Sequence, residues 1–126
     1  MSLVLDAGAL IALERGDRAM WRRFKSARAS EELPLSHGGV VGQAWRGRGP
    51  RQALLSVALA SVDVRALDDD LGRAAGSLLA RTGANDVVDA ALVLVADDGD
   101  VLLTSDPGDL EPLARATGRH VEIVAV

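Results

Sequence analysis

The chain has 126 residues, which is the length of one domain and too short for two hydrophobic cores. Apolar residues make up 48% and charged residues 25%, so the composition is globular and excludes disordered and fibrous proteins. There is no cysteine, which excludes disulfides, thiolate zinc sites and a cysteine nucleophile. The net charge of −4 argues against a protein that coats nucleic acid by bulk charge.

The average charge hides a difference between the two halves of the chain. Residues 1–60 carry nine basic and five acidic residues, whereas residues 61–126 carry five basic and thirteen acidic residues. The basic half, residues 1–60, is therefore suited to bind an anion, and the acidic half, residues 61–126, contains most of the carboxylates. Two surfaces that differ only in their solvated charges would give the same pattern. The most apolar run, at 87–96, is about half the length that spans a bilayer, and no signal peptide is visible. We therefore expect a cytoplasmic protein with no membrane contact.

Apolar periodicity and capping residues predict an alternation of strands and helices. The predicted strands lie at 3–5, 33–35, 62–64, 101–104 and 121–126, and the predicted helices at 7–15, 17–28, 40–45, 51–60, 68–81, 86–96 and 107–117. The strand at 33–35 is expected at an edge of the sheet, because Pro34 cannot donate to a strand ladder. The alternation predicts a single α/β domain over 1–126, with three layers (α/β/α) and a mostly parallel central sheet.

Four aspartates come at the ends of predicted strands or at the starts of helices. Asp6 and Asp106 each follow a strand, and Asp86 and Asp89 lie three apart in the first turn of a helix, so they share a face. The carboxyl ends of parallel strands meet at one edge, so we expect these side chains to lie close together and to raise the pKa of at least one carboxyl group. Each also fits a helix cap, Asp106 before Pro107 especially well. Since few basic residues are nearby, a divalent cation with oxygen ligands, Mg²⁺ or Mn²⁺, explains the group best.

Three segments of the chain resemble the signature blocks of PIN-domain nucleases. They are LVLDAGALIAL at 3–13, NDVVDAA at 85–91 and LLTSD at 102–106. More narrowly, the whole chain resembles VapC-type toxins of bacterial toxin–antitoxin pairs. The resemblance implies a PIN-like fold and a Mg²⁺- or Mn²⁺-dependent endoribonuclease, usually a homodimer, that is held silent by a small antitoxin protein.

The resemblance also implies roles for individual residues. Asp6 matches the first metal-binding acid of the family, Asp89 the third and Asp106 the fourth, and these three are the expected catalytic residues. Asp86 is an additional acid beside Asp89 and a further candidate metal ligand. The family usually has a glutamate at the position where this chain has Gln43, and glutamine keeps an oxygen ligand without its charge. Metal affinity and activity are therefore expected to be lower than usual, unless Asp86 supplies the missing charge.

Five other residues are weaker candidates. Ser105 can hydrogen-bond a metal ligand or a phosphate, although a serine in a turn is the simpler interpretation. Arg46 and Arg48 can contact RNA phosphates, but a solvated face or a contact to acidic residues of the antitoxin explains them equally well. Neither His37 nor His120 is expected to be catalytic, because metal-assisted hydrolysis requires no histidine.

The aromatic residues indicate where partner proteins bind. The only three are Trp21, Phe24 and Trp45, and they lie in or beside the helical regions at 21–24 and 40–59. A domain of this size buries only part of these apolar regions. We expect the remainder to form a homodimer interface or a groove for a helix of the antitoxin.

Two other functional classes fit part of the pattern. Receiver-like and haloacid-dehalogenase-like phosphoryl acceptors also place an aspartate at a strand end, but they need a lysine at a later strand end. The one lysine, Lys25, lies in an early helix, and Gly8 stands where the phosphatases have a second aspartate. The stronger alternative is a catalytically impaired PIN fold, marked by Gln43, that binds RNA or protein.

Overall fold

Strands and helices alternate along the chain, as the apolar pattern predicts. The computed structural model describes residues 1–126. Its elements are, in chain order, β1 (Leu3–Leu5), α1 (Ala7–Glu14), α2 (Arg18–Ala29), β2 (Leu35–His37), α3 (Gly38–Ala44), α4 (Gln52–Leu59), β3 (Asp63–Arg65), α5 (Asp69–Thr82), α6 (Val87–Val95), β4 (Val101–Thr104), α7 (Pro107–Ala116) and β5 (Glu122–Ala125). The predicted fold class, a three-layer α/β/α arrangement with a parallel sheet, is confirmed. None of the helices is long and apolar enough to cross a bilayer.

The five strands form one parallel sheet in the order β3-β2-β1-β4-β5. Along the chain, β2 and β3 are first added on one side of β1, and β4 and β5 are then added on the other side. The direction of the connections therefore changes between β1 and β4. In open parallel sheets, ligands bind outside the carboxyl ends of the strands at such a change. The ends of β1 and β4 are consequently the place where the fold favours a site.

β2 lies inside the sheet, so the expectation of an edge strand at 33–35 is wrong. The strand begins at Leu35, after the proline, and pairs with β1 on one side and β3 on the other. Pro34 contributes only its carbonyl oxygen, which accepts the N–H of Asp63 at 2.8 Å. A proline just before a strand removes no ladder hydrogen bond, and it is therefore compatible with a central position.

The hydrophobic core fills the space between the sheet and the helices. All three residues of β1 are buried, as are the last three of β4. α6 is the most buried helix, because Ala90–Val93 and Val95 all lie in the core. This matches its apolar sequence on nearly every face. The first turn of α6, which carries Asp89, is thereby anchored to a rigid part of the molecule.

Gly8 allows the loop after β4 to lie against the first turn of α1. A Cβ atom at Gly8 would lie 2.6 Å from Cβ and 2.9 Å from the backbone N of Ser105. Both distances are too short for real carbon contacts, so a side chain at this position forces the loop away. Ser105 directly precedes Asp106, and the close approach therefore helps to place a candidate site residue.

We expect Gly8→Ala to lower the free energy of unfolding by about 1–3 kcal/mol, because the added methyl group overpacks the contact with Ser105. Chemical denaturation measures the change. Gly76→Ala in α5 is the matched control, since a Cβ there meets no atom within 4 Å. Alanine has the higher helix propensity, so this control should gain up to about 1 kcal/mol. Equal effects of the two substitutions would show that Gly8 is not needed for the close approach.

Candidate functional site

Asp6 is fixed at the point where β1 ends and α1 begins. Its backbone N–H donates to the carbonyl oxygen of Leu103 in β4 at 3.1 Å. Its Oδ1 accepts the N–H of Ala9 at 3.1 Å and so caps α1, while its Oδ2 accepts a hydrogen bond from the hydroxyl of Thr104. Hydrogen bonds to both carboxylate oxygens hold the side chain at the edge of the sheet. The interpretation of Asp6 as a helix cap is correct, and the half-buried carboxylate stays partly open to solvent.

Thr104 connects Asp6 to Asp106. Its Oγ1 accepts the N–H of Asp106 at 2.9 Å while its hydroxyl donates to Asp6, and the residue is fully buried. Asp106 stands in front of Pro107 at the start of α7, but its side chain makes no capping hydrogen bond. The structure therefore does not bear out the capping role that the sequence favoured most for Asp106. Its exposed carboxylate remains available for another function.

Asp86 and Asp89 occupy the first turn of α6. Asp86, rather than Asn85, caps the helix, because its Oδ1 accepts the N–H of Asp89 at 3.1 Å. Asp89 is half-buried, and the next residue, Ala90, lies fully in the core. Asp86 thus has the structural role that the sequence allowed, and its charge lies close enough to act on Asp89.

His37 attaches this turn of α6 to the end of β2. Its Nε2 donates to the carbonyl oxygen of Val88 at 2.9 Å, and its Nδ1 accepts the N–H of Gly39 at 3.1 Å, which caps α3. This pattern requires the neutral imidazole with the proton on Nε2. The side chain is fully buried, and desolvation lowers its pKa. His37 therefore holds the turn that carries Asp89 and has no free nitrogen for catalysis.

The acids act on one another through their charges. The pKa of Asp89 is raised to about 6, first by burial and then by the charges of Asp86, Asp109, Asp6 and Asp106. Hydrogen bonding and charge from the neighbouring Asp106 likewise raise the pKa of Asp109. A carboxyl pKa is thus raised, as expected, but burial contributes more to the rise than any one of the neighbouring charges does. We call these five residues the acidic cluster.

No basic side chain neutralises the acidic cluster. The ion pairs of the chain join the N-terminus to Glu32, Arg65 to Asp63 and Arg73 to Asp69, all outside the cluster. Carboxylates without basic partners repel each other, and a divalent cation is the partner that their oxygen atoms favour. The chemistry of the donor set therefore fits Mg²⁺ or Mn²⁺.

The side chains as they stand do not enclose an ion. No three acidic or histidine side chains are grouped so that they could hold a metal together. Both oxygens of Asp6 already accept hydrogen bonds, and Asp106 interacts with Asp109. A cation shared by Asp6, Asp89 and Asp106 accordingly stays a prediction.

The other predicted site residues are exposed on α3, just after α3, and in the loop after β4. Gln43 is exposed on the second turn of α3 and makes no hydrogen bond, and Ser105 is exposed beside Gly8. The guanidinium group of Arg46 donates to the carbonyl oxygens of Gly42, at 3.1 Å, and Trp45, at 2.8 Å, at the end of α3. Arg48 is exposed without a hydrogen bond. Of the two arginines, Arg48 is the one with a free guanidinium group.

His120 lies outside the acidic cluster. It is exposed beside β5, and its backbone N–H donates to Oδ1 of Asp98 at 2.6 Å. It lines a hollow between α7 and β5 that none of the five acids enters.

Sequence analysis missed two residues of this region, Asp109 and Thr104. Asp109 follows Asp106 by three positions, the same helical spacing that drew attention to Asp86 and Asp89, so the signal was present. Thr104 is a hydroxyl side chain at the buried end of a strand, two residues before Asp106. A buried hydroxyl needs a partner, and an acid at the same sheet edge supplies one.

No protein-family model matches this chain, and comparison with curated proteins gives no match either. Its function is therefore inferred from the acidic cluster and from the resemblance of the three sequence segments.

The raised pKa of Asp89 predicts a dependence of stability on pH. An aspartate in the unfolded chain titrates near 3.9, so between about pH 4 and pH 6 the folded state binds the proton and the unfolded state does not. The contribution of Asp89 to stability therefore rises as the pH falls from 7 towards 4, by about 1–2 kcal/mol after screening by solvent. Asp89→Asn should gain this amount at pH 7.5.

Denaturation curves of wild type and Asp89→Asn at pH 5 and pH 7.5 measure this effect. The buried His37 acts in the opposite direction, because its lowered pKa costs stability as the pH falls, but it does so equally in both proteins and cancels. Glu111→Gln, an exposed acid of α7 outside the acidic cluster, should keep the pH dependence of the wild type. If Asp89→Asn kept that dependence too, the pKa of Asp89 would not be raised in the folded protein.

Proposed function

We propose that this chain is a Mg²⁺- or Mn²⁺-dependent endoribonuclease. The observation that carries the proposal is the acidic cluster: burial and the charges of four neighbouring carboxylates raise the pKa of Asp89 to about 6, and no basic side chain pairs with the five acids. Such perturbed acids in one place are typical of functional sites. The resemblance of three segments to the blocks of PIN-domain nucleases supplies the reaction and the substrate, RNA.

Asp6, Asp89 and Asp106 would hold the cation, and Asp86 and Asp109 would add negative charge around it. When bound, the cation would polarise the scissile phosphate and lower the pKa of a bound water molecule. Hydrogen bonds within the protein fix the positions of these acids without a cation. Thr104 fixes Asp6 and the backbone of Asp106 relative to each other, and His37 holds the turn that carries Asp89.

Basic residues of the first half of the chain would attract the RNA. The acidic cluster alone repels phosphates, so the substrate needs cationic contacts beside it. Arg48 is exposed without a partner near the end of α3, while Arg46 already binds backbone carbonyl oxygens there. Arg48 is therefore the better candidate for contacting RNA.

We further propose that the protein is the toxin of a toxin–antitoxin pair and forms a homodimer. Large apolar side chains are exposed on α4 and at the end of α3: Trp45 is 39%, Leu54 41% and Val57 58% exposed. Leu54 and Val57 lie three apart on one helix and share a face. Trp21 is partly buried, and its indole N–H donates to Leu13 at 2.9 Å. Exposed apolar surface of this kind supports a protein partner on α3 and α4.

A catalytically impaired module that only binds RNA or protein is the second candidate. The observation that favours it is Gln43, which offers an amide where the family usually has a charged ligand. A phosphoryl acceptor gains no support, because Lys25 lies in α2. Neighbouring residues of that helix line a hollow with Met1 and Leu3, at the opposite end of β1 from Asp6.

The purified chain should cleave single-stranded RNA with Mn²⁺ and lose this activity with EDTA. Asp106→Asn should lower cleavage by about a hundredfold or more, because a charged ligand is lost. Its side chain makes no capping bond, so the melting temperature should hardly change. The control is Asp70→Asn on α5, which removes the same charge outside the acidic cluster. Equal cleavage by the two variants, or cleavage in EDTA, would contradict the proposed site.

Gln43→Glu distinguishes the nuclease from the impaired module. If Gln43 faces the cation, the added charge should tighten Mn²⁺ binding and raise cleavage, and Asp86→Asn should weaken both. Asparagine also caps helices well, so Asp86→Asn tests the charge and not the cap. Manganese titrations of wild type and both variants measure this. Unchanged affinity in both would exclude Gln43 and Asp86 from the site, and RNA binding without cleavage in all three proteins would favour the module.

Expression of the chain alone in bacteria should slow growth and translation. Asp6→Asn should relieve the effect, because asparagine can still cap α1 at Ala9 but carries no charge for a cation. Growth curves and incorporation of a labelled amino acid, at matched protein levels, provide the measurement. If wild type and variant were equally toxic, the toxicity would not arise from the acidic cluster.

A further inference from the structure

A groove beside the acidic cluster has no role in holding the cation. Its volume is about 490 Å³, which is within the range of pockets that bind small ligands. Its lining includes Ile11, Ala12, Arg15, Asp17, Ser105 and Val126. It therefore lies between α1, the corner from α1 to α2, and the chain segments that follow β4 and β5.

Two residues that line the groove are close in sequence to acids of the cluster. Gly8, which also lines it, is two residues from Asp6, and Ser105 directly precedes Asp106. The close approach of Ser105 to Gly8 makes one wall. Val126 is held on the other side by its N–H, which donates to the carbonyl oxygen of Thr104 at 2.8 Å. The groove is thus bordered by the two chain segments that carry Asp6 and Asp106, and none of the five acids lines it.

The end of the groove formed by the corner from α1 to α2 is held by backbone hydrogen bonds and carries polar groups that have free bonding capacity. The N–H of Arg15 donates to Ile11 and that of Asp17 donates to Ala12, both at 3.0 Å. The guanidinium group of Arg15 makes no hydrogen bond or ion pair. Asp17 uses only its Oδ1, which accepts the N–H of Met20 at 2.8 Å. The corner therefore presents one cationic donor and one carboxylate oxygen above an apolar floor.

We propose that this groove holds one unpaired nucleotide of the RNA, next to the bond that is cut. Unpaired bases are bound by stacking on guanidinium planes and by hydrogen bonds to their edges. Ile11 and Ala12 supply an apolar face, Arg15 supplies a guanidinium group, and Asp17 supplies an acceptor. The inference rests on the proposed function, because an RNA held at the acidic cluster is what places a nucleotide here.

Titration of the ¹⁵N-labelled full chain with each of the four ribonucleoside 5′-monophosphates, in EDTA, tests the groove by NMR. We expect the amide signals of Gly8, Ala12, Ser105 and Val126 to shift. Arg15→Ala should weaken binding about tenfold, the loss expected for a charge-assisted hydrogen bond. Arg22→Ala is the matched control, since it removes the same charge from α2 outside the groove and should change the affinity less than twofold.

Two results would overturn the proposal: no shifts of the groove amides at millimolar nucleotide, or equal weakening by Arg15→Ala and Arg22→Ala. The experiment contains no metal and requires no cleavage, so it fails independently of the proposed nuclease. Nucleotide binding in the groove of a chain that does not cleave RNA would support the groove and contradict the nuclease. Manganese-dependent cleavage without shifts of the groove amide signals would support the nuclease and contradict the groove.

Discussion

The parallel pairing of β1 with β4 is the constraint on which the candidate site depends. Leu5 lies opposite Leu103, and the N–H of Asp6 continues the ladder by donating to Leu103. These strands are almost one hundred residues apart in sequence, so this pairing is what brings Asp6 beside the loop that bears Asp106. The buried hydroxyl of Thr104 then fixes the two residues to each other. The groove along α1 exists for the same reason, because its wall is the loop after β4.

The site is costly to the folded state. Asp89 is half-buried in the first turn of the core helix α6, near four other carboxylates. Its pKa of about 6 shows that ionising this side chain costs free energy in the folded state. Burial and like charge both oppose ionisation, and no arginine or lysine offsets them. His37 holds this turn in place, because both of its ring nitrogens form hydrogen bonds with backbone atoms. A chain selected for stability alone would replace Asp89 by a neutral residue, which is why we attribute the arrangement to function.

Most of the fold could be predicted from the sequence, because periodicity and capping act over a few residues. Asp6, Asp86 and Asp89 could be predicted as candidate site residues for the same reason, because each lies at or near the boundary of a helix or strand. The position of β2 in the sheet could not be predicted from Pro34, because strand order depends on pairing between distant segments. The hydrogen-bond partner of the Thr104 hydroxyl likewise depends on a contact between distant segments, so it could not be predicted from local patterns. The direction of Gln43 from the short helix α3 is also a tertiary property, and the resemblance to a family predicted its position but not its surroundings.

Anomalous diffraction at the manganese edge, from crystals grown with MnCl₂, is the sharpest test of the proposed metal site. The measurement locates the cation without requiring a substrate or a known target RNA. We expect a peak within bonding distance of carboxylate oxygens of Asp6, Asp89 and Asp106. A peak only at other acids, such as Asp68–Asp70 at the start of α5, or no peak at saturating Mn²⁺, would contradict the proposed site.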